Sequence, residues 1–416
     1  MKKFFVYNLF QRLYGDINNW YTPALRAALM GFNWVYINPI HYPGFSGSLY
    51  APKDYYLFNP LFFGKRNKEE SYRSLKEWVE FCNKNGLQVM VDLVINHTAI
   101  DAHIVKEHKE WYKKDESGKI KHPRAKDGEG WVEWGDLAEL DYRQEGNKEE
   151  LWEYIFNLVK WFIELGIQGF RCDAAYQIPQ EFWLYLIDKV KKIDNKAIFW
   201  AESLGCEFDE VMVLCKSGFD YVMESSKWWD FEAKWCIPQH NKFVGLAHSV
   251  AFPENHDTER LMTELKDRTD LVKMRYIFSA FIAEGIMITS GFEYGFKKRC
   301  NVLYQMPGDR EPTRFYLVDF IKKVNNLKEN NKIFMNEVEI EQYEFLEVLC
   351  LIKKLGDQEA MFIINRSKKD IFNVPIKKLK TIMRYFNKAY DPFNNPLIVE
   401  NNIVLKPEAY HLFIVS

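Results

Sequence analysis

Four short stretches of this sequence put ionisable and amide side chains where a strand would end. They are Asp92 with Asn96 and His97, Arg171 with Asp173, Glu202 after Ala201, and Asn255 with His256 and Asp257. A single aspartate at a strand end is most often a helix cap or half of an ion pair, so no stretch argues for chemistry alone. Together they offer carboxylates for nucleophilic attack and proton transfer, with histidines and a guanidinium to hold a polar substrate. Arg171 and Asp173 are two apart, so on a strand both point to one face, where the guanidinium should hold the aspartate ionised as a nucleophile requires. If Asp173 and Glu202 end neighbouring strands about 4.8 Å apart, their carboxyl groups can approach the roughly 5 to 5.5 Å separation of retaining glycosidases rather than the wider inverting one. Asp257, from across the mouth, is placed to bind sugar hydroxyls more tightly as the ring distorts toward an oxocarbenium ion.

Such groups need rigid elements that end at one face. Short apolar runs alternate with longer segments of helical period, the pattern of parallel strands joined by crossover helices. Eight runs qualify: FFVYNLF from Phe4, WVYINPI from Trp34, LQVMVDLVI from Leu87, GFRCDA from Gly169, AIFWAES from Ala197, YVMESS from Tyr221, SVAFPEN from Ser249 and GIMITSG from Gly285. The order predicts a (β/α)8 TIM barrel, in which functional side chains gather at the C-terminal strand ends. Two regions break the rhythm. Residues 98–146 are rich in Lys, Asp, Glu, Gly and Trp without a clear period, and read as an insertion after the third strand that overhangs the site. After about Asn331, strand-like runs such as EVLCLIKKL, AMFIINRS and HLFIVS separated by polar turns predict a C-terminal all-β domain. The expected division is 1–97 with 147–331 for the barrel, 98–146 for the inserted domain, and 332–416 for a closing β-sandwich.

Composition narrows the ligand. The chain has 416 residues, enough for one barrel of about 250 with smaller attachments. An apolar fraction of 47% and a charged fraction of 27% exclude disordered and fibrous classes. A net charge of -2 with both signs mixed gives no basic field for nucleic acid, so a neutral substrate is expected. The opening MKKFFVYNLFQRLYGD is basic and then apolar, but Asn8, Gln11 and Arg12 interrupt it and no small-residue cleavage site follows, so it reads as the first strand. No run approaches the roughly 20 apolar residues of a membrane span. Seven scattered cysteines without metal-ligand spacing predict free thiols, with the cytoplasm as the expected compartment.

DLVINH (Asp92 to His97), GFRCDAA (Gly169 to Ala175), AES (Ala201 to Ser203) and ENHDT (Glu254 to Thr258) resemble, in order, the four short motifs of the α-amylase family of retaining glycoside hydrolases and transglycosylases. Weaker matches at Tyr50 to Tyr56, Leu137 to Asp141 and Gly291 to Gly295 extend the likeness over most of the chain. The resemblance implies that Asp173 is the nucleophile, Glu202 the general acid/base and Asp257 the transition-state stabiliser. It gives His97 and His256 to the sugar at the reacting subsite, sets Arg171 beside the nucleophile, and stacks Tyr50 under that sugar. Asp92 is grouped with these substrate-site residues as the one that orients its neighbours. Departures also matter. Many family members follow the nucleophile with a Lys-His pair, the lysine contacting sugar beyond the cut and the histidine carbonyl binding calcium, where this chain has Tyr176 and Gln177. Asn96 matches a calcium-ligand asparagine, but Glu139 stands where an aspartate ligand is expected, so calcium near Asn96 stays an open expectation and no cofactor is required.

The implied function is cleavage of α-1,4-glucosidic bonds of glycogen, starch or maltooligosaccharides by double displacement. Hydrolysis and transfer share the intermediate and differ in whether water or a sugar hydroxyl takes it, so a 4-α-glucanotransferase or maltosyltransferase is the alternative. A non-catalytic carbohydrate-binding or chaperone-like barrel would be expected to lack one of the three carboxylates. Trp228 and Trp229 follow the sixth strand, and Trp131 with Trp134 lies in the insertion. Two adjacent tryptophans are hard to bury against one core face, which points to at least one sugar platform; packing of the insertion against the barrel rim is the competing reading.

Overall fold

The computed structural model describes residues 3–127, 130–144, 146 and 148–415, and in it the eight predicted strands close into one parallel barrel in chain order. They are β1 (Phe5–Leu9), β2 (Trp34–Ile37), β3 (Gln88–Leu93), β4 (Gly169–Cys172), β5 (Ile198–Ala201), β6 (Tyr221–Met223), β7 (His248–Ala251) and β8 (Gly285–Thr289). A helix follows each: α1 (Tyr21–Leu29), α2 (Lys68–Lys84), α3 (Lys148–Glu164), α4 (Gln180–Ile193), α5 (Phe208–Cys215), α6 (Cys236–Asn241), α7 (Thr269–Ile282) and α8 (Val318–Glu329). The local chemistry of α2 is typical. Asn67 and Glu70 cap its start reciprocally, side chain to backbone, and Leu75, Trp78, Val79 and Cys82 recur at helical spacing to form its buried stripe.

Alternation along the strands sorts the two faces. Phe4, Val6, Trp34, Tyr36, Met90, Trp200, Tyr221, Met223 and Val250 fill the barrel interior, while their neighbours in sequence pack outward under the helices. Gly169 makes room for this filling. A Cβ there would lie 2.7 Å from the Trp34 ring and 2.8 Å from the Met90 methyl, so any larger residue would push β4 away from its neighbours.

The insertion is joined to the barrel by a short antiparallel ladder, His97–Ala99 against Leu137–Glu139, and carries a second ladder, Arg124–Asp127 against Gly130–Glu133. The expected resumption of the barrel at residue 147 lies outside the described residues. Beyond α8, β9 (Ile340–Phe345), β10 (Val348–Leu355), β11 (Gln358–Asn365) and β15 (Tyr410–Val415) make a four-stranded antiparallel sheet, and β12 (Phe372–Pro375), β13 (Ile398–Val399) and β14 (Asn402–Leu405) a three-stranded one. A helix at Ile376–Ile382 interrupts the expected all-β pattern, with Leu379 and Ile382 packed into the core between the sheets. All seven cysteines are free, and no described helix is long and apolar enough to cross a membrane.

Candidate active site

Strand register brings the sequence-predicted carboxylates together. Arg171 on β4 pairs with Asp92 on β3, and Cys172 with Ala201 on β5, so Asp173 and Glu202 are the next residues on two adjacent strands. Arg171 is buried among them. Its Nη1 donates to both oxygens of Asp92 at 2.8 and 2.9 Å and to Asp173 Oδ1 at 2.7 Å, and its Nη2 lies 2.8 Å from Glu202 Oε1. One guanidinium thus fixes both carboxylates side by side, a planar fork that a lysine could not reproduce.

The residue after Asp173 completes the clamp. Ala174 takes a left-handed backbone conformation, φ 45°, uncommon for a residue with a side chain, and its N–H donates to Glu202 Oε2 at 2.7 Å. Both Glu202 oxygens therefore accept a hydrogen bond, and Asp173 keeps one oxygen without a protein partner among the hydrogen bonds described.

Burial and neighbouring charge oppose the hold of Arg171 on the Asp173 charge. Burial, followed by the Glu202 charge, raises the Asp173 carboxyl well above its usual range, with Arg171 only partly offsetting them. Burial also raises Glu202, against the pull of Arg171 and with a further push from Asp257. The cause is a charge imbalance, since one guanidinium faces three carboxylates. Burial works against the Arg171 charge too, but Asp92 and Glu202 more than compensate, and the guanidinium stays protonated.

Asp257 extends the set across the mouth. Its side chain is 49% exposed, 3.2 Å from His256 Nε2, and its backbone oxygen accepts from Arg299 Nη2. Tyr50 links this side to the floor: its hydroxyl is 2.6 Å from both Asp92 Oδ2 and His256 Nε2, and the Tyr50 and His256 rings are parallel with centroids 5.7 Å apart. His97 Nε2 is 2.9 Å from the Tyr50 carbonyl oxygen, and burial lowers His97 to about 4, so it stands as a neutral ring bracing the Tyr50 loop. Burial likewise lowers His256, whose Nδ1 is buried without a partner.

Asp92 is fully buried beneath Arg171, Tyr36 and Tyr50, where it orients them as expected and does not face the cleft. One sequence assignment changes. Trp229, taken with Trp228 as a sugar platform, is 1% exposed: it packs on Phe231 and Phe278, and its indole N–H donates to the Ala233 carbonyl at 2.6 Å. Adjacent tryptophans avoid competing for one face because the chain turns after Trp229, with Phe231 in a left-handed conformation, and the core there includes α7 and Phe362 of the C-terminal sheet. Trp228 is 52% exposed and meets Phe252 edge-on, and Trp131 and Trp134 are exposed on the insertion.

Other supporting residues escaped the sequence reading. The Tyr36 hydroxyl donates to Asp92, Asn38 Nδ2 donates to the Tyr50 hydroxyl at 2.9 Å, and Asn8 Nδ2 donates to Asn38 Oδ1 at 3.0 Å. Their signal was polar residues at inward, period-two positions of strands otherwise apolar. Beside Tyr176 and Gln177 a groove of about 380 Å³ opens toward the insertion, lined also by Arg124, Trp131 and Glu210, with the Arg124 guanidinium 4.7 Å above the Trp131 ring.

The donor set near Asn96 does not fit a calcium cage. Asn96 Nδ2 donates to Gln177 Oε1 at 2.8 Å, Glu139 Oε1 holds the Lys113 ammonium at 2.6 Å, and no group of three or more His, Cys, Asp or Glu among the described residues converges to hold an ion. Calcium takes six to eight oxygens.

Comparison with known proteins agrees with this geometry. Residues 1–119 match the family described as glycogen debranching enzyme, glucanotransferase domain. The chain is 22% identical to alpha-amylase 2 of Dictyoglomus thermophilum over 98% of its own length and 72% of that protein's. It is 23% identical to the maltogenic alpha-amylase of Bacillus acidopullulyticus over 82% of its own length, spanning 61% of that relative. A noncanonic maltogenic alpha-amylase from Thermotoga neapolitana superposes with a TM-score of 0.75 at 23% identity, covering 99% of this chain and 98% of that one, which shows the shared fold. Sequence similarity along nearly the whole chain and the four motifs meeting around Arg171 support a relationship to the α-amylase family.

Proposed function

We propose that this chain is a retaining enzyme that cleaves α-1,4-glucosidic bonds of glycogen, starch or maltooligosaccharides. The observation that carries the reading is the Arg171 fork, which sets Asp173 and Glu202 side by side with Asp257 facing them across the mouth. Asp173, through the oxygen not bonded to Arg171, attacks the anomeric carbon while Glu202 delivers a proton to the departing oxygen. Water, activated by the resulting Glu202 carboxylate, then releases the sugar with its α configuration restored. Each Glu202 oxygen accepts one hydrogen bond and keeps a second lone pair, which is where the proton is carried. Asp257 and His256 bind ring hydroxyls, and Tyr50 stacks beneath the sugar. None of these steps draws on a metal.

The second reading is glycosyl transfer. It is favoured by the match to a glucanotransferase domain and by the groove beside Tyr176, which would shelter a sugar acceptor near Glu202. Incubation with one maltooligosaccharide of defined length, with and without phosphate, followed by product sizing separates the two. Only shorter products support hydrolysis, longer ones support transfer, and no change in any α-1,4-glucan rejects both.

A further inference from the structure

We infer that Phe45 and Tyr304 form a sugar-holding ledge on the rim of the cleft, which takes the retained, non-reducing part of an α-glucan several units away from the cut. This inference rests on the glucan reading of the site. Both rings stand in water, 71% and 73% exposed, yet the loops beneath them are braced. Phe45 tops the loop after β2 whose base is Tyr50. Gly44 lets that loop lie against the insertion, since a Cβ there would be 2.4 Å from the Ala99 methyl, and Gly47 closes the turn with its N–H on the Gly44 carbonyl. Tyr304 tops the loop after β8 whose base, Arg299, donates to the Asp257 backbone. Its tip is fixed by Asn301 Oδ1, which accepts the Leu303 and Tyr304 N–H groups at 2.9 and 2.8 Å.

The two loops are tied into one surface. Leu49 N–H donates to the Val302 carbonyl at 3.3 Å, and the buried Arg12 spans both, Nη2 to the Gly47 carbonyl at 2.8 Å and Nη1 to the Gln305 carbonyl at 3.3 Å. Large aromatic rings held outward on ordered loops suit the flat apolar faces of sugars. Its side of the cleft follows from the chemistry. Glu202 protonates the departing oxygen from β5, with Tyr176 beyond it after β4, so the leaving portion lies over β4 and β5. The retained portion therefore runs past Tyr50 and Asp257 toward the rim formed after β2 and β8.

The test is the double variant Phe45→Ala with Tyr304→Ala, compared with the parent on maltoheptaose and maltotriose. The ratio of kcat/KM on the long chain to that on the short one should fall about tenfold, the size expected for losing large apolar contacts, with no change in melting temperature. An unchanged ratio overturns the ledge. Calorimetric titration of maltoheptaose into Asp173→Asn, with and without the two rim substitutions, separates this from failure of the glucan reading. Binding weakened by the rim substitutions in a protein whose parent cuts no α-1,4 bond would sink the reading and keep the ledge; binding unaffected by them, or absent, would sink the ledge.

Discussion

Arg171 carries one positive charge into a set of three carboxylates, and that imbalance decides what substitutions there should do. Asp173→Asn removes the nucleophile and Glu202→Gln the proton donor, so each should lower kcat by about three orders of magnitude or more while the protein still melts cooperatively. Activity within tenfold of the parent in either variant would refute the roles. The same imbalance predicts a stability effect. The folded-state pKa of Asp173 is raised above its unfolded value, so the native state binds the extra proton; the associated stability is present below the unfolded pKa and is lost as pH rises through the folded one. Asparagine is neutral throughout. The melting temperature of Asp173→Asn should therefore gain on the parent as pH is raised from 5 to 8, and a gap that shrinks over that range would contradict the direction of the shift. The neighbouring tryptophans divide in the same concrete way. Trp229→Ala empties a packed site between Phe231 and Phe278 and should cost about 3–5 kcal/mol of stability, whereas Trp228→Ala should leave the melting point nearly unchanged and weaken long oligosaccharides by roughly 1 to 3 kcal/mol. Loss of folding in the Trp228 variant would make that residue structural.

At the scale of elements, the insertion is held over the mouth by backbone pairing and by Lys53 of the barrel on Asp101 at 2.6 Å, and it is braced within itself by Lys113. The His97–Ala99 ladder meets Leu137–Glu139, Lys113 N–H donates to the Glu139 carbonyl at 3.0 Å, and the Lys113 ammonium sits on the Glu139 carboxylate. Lys113→Ala should loosen the insertion from within, with a cost of about 1 kcal/mol because the lysine is partly exposed, and faster proteolytic cleavage within 98–146. Treatment of the parent with a chelator should leave turnover unchanged; activity lost to the chelator and restored by calcium would overturn that expectation. The barrel strands and the gathering of Asp173 and Glu202 at adjacent strand ends were legible in the sequence because those strands are apolar runs that end in a polar residue at an inward position, and local pattern alone reports that. Tyr36 and Asn38 lay within the same runs but were hidden, since their role depends on Asp92 and Tyr50 arriving from other elements. The burial of Trp229 was illegible for a related reason: its partners are Phe231 next door and Phe278 on α7, and only the tertiary fold selects which of two adjacent tryptophans turns inward. The helix at Ile376–Ile382 carried a readable spacing, Ile376, Leu379 and Ile382, that was masked by the strand-like runs on either side.

At the scale of the molecule, the C-terminal sheet is part of the barrel's packing. Alternation along β10 and β11 sends Cys350, Ile352, Met361 and Ile363 into the core shared with the small sheet, and Leu349, Leu351, Phe362 and Ile364 into the core shared with the barrel helices. Phe362 touches Phe231, Phe278 and Phe281, and Lys353 reaches across to the Ile282 carbonyl at 2.9 Å. A sheet with one face on the barrel cannot be removed without exposing α7 and the loop that buries Trp229. The chain should therefore unfold in a single calorimetric transition, and a fragment ending at Asn331 should be insoluble or lack a cooperative melt. Phe362→Ala gives the same test without deletion: truncating a buried phenylalanine at that junction should cost about 3–5 kcal/mol and lower the melting point of the barrel and the C-terminal sheet together. Two separate transitions in the parent, or a Phe362→Ala effect confined to the later of them, would show that the sheet is an attachment and that the site over β4 and β5 stands without it.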